Sequence, residues 1–142
     1  MTNLTQREPD EGAPAIENTE VRFVYDDNAL YVGARMFSRD PEAIRALVTR
    51  RDREGSSEQI VISLDTYRDR RTAYTFSVTP AAVRVDYYHA TDSEGDRDSD
   101  CNPVWEAATD IDSLGWTAEL RIPFNQLRFS PGDIQEWGVN VV

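Results

Sequence analysis

The stretch Trp105-Glu-Ala-Ala-Thr-Asp-Ile-Asp-Ser-Leu-Gly-Trp-Thr-Ala-Glu-Leu-Arg-Ile-Pro-Phe124 decides the fold. On both sides of Gly115 apolar and polar residues alternate with period two, the pattern of two half-buried strands joined by a tight turn. Trp105, Ala107, Thr109 and Ile111 share one face of the first strand. Trp116, Ala118, Leu120 and Ile122 share the matching face of the second, and Glu106, Asp110, Glu119 and Arg121 take the other side. Pro123 cannot donate to a ladder and stops the second strand. By this parity Trp105 and Trp116 fall on core faces, and so does Trp137 in the last strand. A hairpin that buries one face and wets the other belongs to packed antiparallel sheets.

The same alternation recurs along the chain. Glu20 to Asp26 places Val21, Phe23 and Tyr25 on one side, and Asp27-Asn28 turns it into a second strand from Leu30 to Phe37. Three further strands are expected at 58–66, 72–79 and 82–89. Their inward sets read Ile60, Ile62 and Leu64, then Tyr74, Phe76 and Val78, then Val83, Val85 and Tyr87. The last strand begins near Glu136. Asp40-Pro41-Glu42 followed by Ala43, Ile44, Ala46 and Leu47 supplies an N-cap, a first-turn proline and good helix formers, so one short helix is expected over 41–48. Residues 1–19, rich in acids with Pro9, Gly12 and Pro14, read as an extended lead-in to a domain over 20–142. About eight strands with one short helix make an all-β protein, an antiparallel β-sandwich of jelly-roll type.

Composition narrows the function classes. The chain has 142 residues, enough for one domain with a real core. Its formal net charge of -11 repels phosphate backbones, so nucleic acid is not an expected partner despite the arginine clusters at 50–53 and 68–71. All 15 basic residues are arginine. No apolar run approaches the roughly 18 residues of a membrane helix, so no direct membrane insertion is expected. A single cysteine, Cys101, forms no internal disulfide. Met1 precedes a polar, acidic segment without a signal-peptide core, and the chain stops inside the strand at Trp137-Gly-Val-Asn-Val-Val142. The expectation is a fragment of a longer protein.

The segments T-E-V-R-F-V-Y-D-D-N-A-L-Y-V-G-A-R (19–35), L-D-T-Y-R-D-R-R-T-A-Y-T-F-S-V-T-P (64–80), W-E-A-A (105–108), G-W-T-A-E-L-R-I-P-F (115–124) and W-G-V-N-V-V (137–142) resemble the family 9 carbohydrate-binding module-like domains. In particular they resemble the subgroup that stands N-terminal to an outer-membrane barrel domain of unknown function in bacteria. The resemblance covers nearly the whole chain. It lacks the opening strand with its Asp-Gly and Trp, has Cys101 in place of a tryptophan, and shows no counterpart of the paired sugar-sandwiching tryptophans of xylanase modules. It implies a non-catalytic β-sandwich that binds polysaccharide or oligosaccharide, in a parent protein exported to the periplasm, outer membrane or cell exterior. A structural or protein-interaction module beside a barrel is the alternative, and part of a glycoside hydrolase is the third.

Sugar recognition needs flat aromatic faces and planar polar groups that point outward. By strand parity the outward candidates are Arg84, Asp86 and Tyr88 on one strand, Glu106, Glu119 and Arg121 on the 105–124 hairpin, and Tyr67 in a neighbouring loop. Cross-strand charge pairing explains the same pattern without a ligand. Asp92, Glu94, Asp96, Asp98 and Asp100 place carboxylates at every second position, oxygen ligands of the kind calcium takes, although no EF-hand pattern is present. A solvated acidic loop is the competing reading. His89 has no nucleophile elbow, cysteine or phosphate loop beside it. Acid pairs such as Asp86 with Glu106 or Glu119 become a hydrolase only at the right separation.

Overall fold

The computed structural model describes residues 4–6, 11–51, 56–91, 93 and 95–142. Nine strands form among them: β1 (Thr19–Tyr25), β2 (Ala29–Phe37), β3 (Ile60–Asp65), β4 (Ala73–Val78), β5 (Arg84–His89), β6 (Arg97–Asp98), β7 (Glu106–Asp112), β8 (Gly115–Pro123) and β9 (Gly138–Val141). A four-stranded sheet runs β1-β2-β8-β7 and a five-stranded sheet runs β6-β5-β4-β3-β9, with every pairing antiparallel. The chain is an antiparallel β-sandwich. No helix of the described residues is long and apolar enough to cross a membrane.

Apolar alternation produces the core directly. Val21, Val32, Ala34, Trp116, Ala118, Leu120 and Ile122 from the four-stranded sheet meet Ile60, Ile62, Leu64, Tyr74, Phe76 and Val78 from the other. Trp105 lies just ahead of β7 and is 1% exposed, with Phe76 edge-on to its ring at 5.3 Å. Trp116 is equally buried. Trp137 sits ahead of β9, half-buried in an aromatic trio with Phe124 and Phe129 that packs against the core. Tyr25 and Ile111, expected inward, lie at strand ends and are exposed.

Two turns tie the hairpins. In the β1–β2 turn Asp26 Oδ1 accepts from the amides of Asn28 and Ala29 at 2.7 and 2.8 Å, and its Oδ2 accepts from the Tyr31 hydroxyl at 2.9 Å. In the β7–β8 turn Gly115 has φ +137°, and a Cβ there would collide with the Met36 carbonyl oxygen. Only glycine fits where β2 and β8 run this close.

Three sequence expectations are corrected. The helix over 41–48 shrinks to one 3-10 turn, Pro41–Ala43, because the Asp40 side chain makes no cap and Ile44 swings to extended backbone and packs on the core. A second 3-10 turn covers Phe124–Gln126. The lead-in is not simply extended: Thr5 and Pro14 form an antiparallel bridge. The third correction is the facing of β5. Ile62 pairs with Phe76 and Phe76 with Asp86, so Arg84, Asp86 and Tyr88 share the core face, and Val85 and Tyr87 face away. Apolar alternation misleads here because both faces of this sheet are covered. Thr75 and Ser77 point away from the core and are still only 1% and 2% exposed.

Candidate functional site

The register of the four-stranded sheet orders its outer face into three rows across the strands. One row is Glu20, Arg35, Thr117 and Asp110. The next is Arg22, Gly33, Glu119 and Ala108, and the third is Val24, Tyr31, Arg121 and Glu106. The middle row has two positions with little or no side chain, Gly33 and Ala108, between rows of long side chains. A groove of about 490 Å³ follows, lined by Val24, Tyr31, Gly33, Glu106, Ala108, Glu119 and Arg121. Val32, Ala107 and Leu120 also line it, and since alternate residues point to opposite faces it is their backbone that the groove exposes.

The polar groups differ in how they are held. Arg121 Nη1 lies 3.7 Å from Glu106 Oε1 across the β7–β8 ladder. The neighbouring Tyr31 hydroxyl, and then the carboxylates of Glu106 and Asp26, raise the Arg121 guanidinium above its ordinary range. Tyr31 is anchored in turn by Asp26. Glu119, by contrast, has no hydrogen-bond or ion-pair partner among the described residues and stands exposed beside Gly33. The groove therefore combines a fixed aromatic ring, an oriented guanidinium and an unengaged carboxylate over an apolar, backbone-lined floor. That arrangement can hydrogen-bond hydroxyls while packing against a flat apolar face.

Of the residues expected from sequence, Glu106, Glu119 and Arg121 meet in this groove. Arg84, Asp86 and Tyr88 do not. Asp86 is 1% exposed, and its Oδ1 accepts from Trp105 Nε1 at 2.8 Å and from Arg51 Nη2 at 2.6 Å. Arg51 also donates to the Pro103 carbonyl, and Arg84 donates to the Trp105 carbonyl while stacking over the indole. These groups lock residues 103–105 to the sandwich interior. Tyr88 packs against Tyr74 at 4.8 Å. Tyr67 is exposed in the β3–β4 loop and does not line the groove. Tyr31, Val24 and Gly33 were missed because each reads as an ordinary strand residue until the register sets it against Arg121 or Glu119.

In the acidic loop Asp92 and Glu94 lie outside the described residues. Asp98 belongs to β6 and accepts from the Asp100 amide, and Asp96 accepts from the Thr91 hydroxyl. Among the described residues no three acids, histidines or cysteines converge in a metal-ligand arrangement.

No family model matches the chain, and no curated protein matches it in sequence. Its fold does match a solved structure. A Bacteroides uniformis protein provisionally described as carbohydrate-binding superposes with a TM-score of 0.70 at 12% identity, over 99% of this chain and 67% of that one. At that identity the likeness is one of fold.

Proposed function

We propose that this chain is a non-catalytic carbohydrate-binding-like module that holds a glycan in the groove of the four-stranded sheet. The groove itself carries the reading: Tyr31 and the Gly33–Ala108 floor offer apolar contact, and Arg121, Glu106 and Glu119 offer planar hydrogen-bonding groups beside it. The fold shared with a protein provisionally described as carbohydrate-binding adds support. The finer assignment, a family 9-like module heading an outer-membrane barrel in an exported bacterial parent, rests on the sequence resemblance. The hydrolase reading loses one of its acids, since Asp86 is engaged with Trp105 and Arg51 in the interior. The interaction-module reading has its own support in β1, an edge strand of its sheet whose Val24 and Tyr25 are exposed. Calcium belongs to the proposal as well, with oxygens from Asp92, Glu94, Asp96, Asp98 and Asp100. A melting temperature indifferent to millimolar calcium and EDTA overturns that part.

A glycan array followed by calorimetry on the hits tests the main reading, using Gly33→Val and Tyr31→Ala. A Cβ at Gly33 meets nothing within 4 Å, so valine fills the groove without straining the strand. Both variants are expected to fold and to lose the glycan. Hits that bind both variants as well as the parent, or an array without hits, reject the groove.

A further inference from the structure

The β3–β4 loop carries a second constellation, on the other sheet and far along the chain from the groove residues. Arg68 and Arg70 both hold left-handed backbone, at φ 54° and 58°. Long side chains pay for that conformation, about 1–2 kcal/mol each, and keep it only where surrounding bonds over-determine it. Those bonds are present. Asp65 accepts from the amides of Asp69 and Arg70 at 3.1 and 2.8 Å, Asp69 accepts from the amides of Arg71 and Thr72 at 2.8 Å each, and Arg68 pairs with Glu136. The loop is thus held in one shape from both of its ends.

That shape directs two consecutive arginines at a pocket. Arg70, Arg71, Thr72 and Asp65 line it together with His89, Thr91 and Ser93, around about 250 Å³. Neither the Arg70 nor the Arg71 guanidinium makes a hydrogen bond or ion pair among the described residues. Both carboxylates of the loop, Asp65 and Asp69, are engaged by backbone amides. Asp69 is held below the usual carboxylate range by the amides of Thr72 and Arg71, with Arg71's own charge a lesser contribution. In a chain of net charge -11 this leaves a local site whose described lining holds two fork donors unengaged by any described residue, the His89 imidazole and one carboxylate, Asp65. Guanidinium forks match planar or tetrahedral oxyanions with paired hydrogen bonds. The volume lies below the roughly 300–1,000 Å³ of pockets for drug-sized ligands, so it suits one charged group and not an extended chain.

We propose that this pocket is an oxyanion site, formed by Arg70, Arg71 and His89, that takes the carboxylate or sulfate of an acidic saccharide. The saccharide part rests on the carbohydrate reading above, whereas the oxyanion part stands on the pocket alone. The test is amide chemical-shift mapping of the whole chain titrated separately with D-glucuronate, glucose 6-sulfate and glucose, with inorganic sulfate as a fourth arm. Saturable shifts confined to 65–73 and 89–93 are expected with both acidic sugars, weakened by high salt because the contact is charged, and absent with glucose. Arg70→Gln with Arg71→Gln should weaken binding at least tenfold while leaving the spectrum dispersed and the glycan response of the groove intact. Arg71→Lys, which keeps the charge and loses the fork, should fall between. Equal shifts with glucose, shifts scattered over the surface, or no saturation up to tens of millimolar overturns the site. Binding of inorganic sulfate with rejection of both acidic sugars keeps the oxyanion pocket and overturns its saccharide assignment.

Discussion

Trp105 donates its indole N–H to Asp86 Oδ1 across 2.8 Å, and each of the two residues is 1% exposed. A carboxylate this deep is stabilised by the indole donor and the Arg51 guanidinium that reach it. Removing either partner leaves a buried group without its counterpart. Asp86→Ala should therefore lower unfolding free energy by about 3–5 kcal/mol, and Trp105→Phe by about 1–3 kcal/mol, the cost of an unsatisfied partner. Urea denaturation measures both. A loss below 1 kcal/mol for Asp86→Ala would show that the network is incidental to the fold.

Trp116 stands at the start of β8, next to the Gly115 turn, with 2% exposure, facing Met36 and Ile111 on its neighbouring strands. Trp116→Ala opens a cavity that a sandwich core closes poorly, with an expected cost of about 3–5 kcal/mol. Full stability together with lost glycan binding would reveal a sugar platform in place of a core residue.

Gly115 and Gly33 make opposite predictions on adjacent strands. Gly115→Ala forces a side chain into the Met36 carbonyl at a backbone angle that favours glycine, and it should destabilise severely or prevent folding. Gly33→Ala meets empty space at ordinary strand geometry and should be neutral or stabilise by about 0.5–1 kcal/mol. Thermal melts of the pair, run side by side, check both, and an intact Gly115→Ala domain refutes the close approach of β2 and β8.

Acid should unfold the domain through its turn carboxylates. The amides of Asn28 and Ala29 and the Tyr31 hydroxyl hold Asp26 below its usual value, the Thr72 and Arg71 amides do the same for Asp69, and the Arg35 guanidinium and the Leu114 amide for Asp112. Each is lower in the folded than in the unfolded state. Their contribution is therefore present above the unfolded aspartate value of about 3.9 and is lost as pH falls through the depressed folded values. Urea midpoints should stay level from neutrality to about pH 5 and decline below about pH 4. Asp26→Asn should lower the midpoint at neutral pH, flatten the acid slope, and converge with the parent at the acid end. Parallel curves across the whole range would remove Asp26 from the account.

Period-two alternation in the sequence was enough for the sandwich, for the inward faces of β1, β3, β4, β7 and β8, and for Glu106, Glu119 and Arg121 on one open face. Those strands have one apolar and one polar side, so the hydrophobic effect alone orients them. Local signals did less at residues 41–48, where the packing of Ile44 against the core overrode helix propensity after a single turn. Only tertiary structure decided β5. Its two faces are both covered, and Asp86 turns inward because Arg51, 35 residues earlier, and Trp105, 19 later, satisfy it there. The groove likewise exists only in the register, which sets Gly33 beside Glu119 and Tyr31 beside Arg121. Partners that make an orientation affordable lie far away in sequence, and no alternation within one strand encodes them.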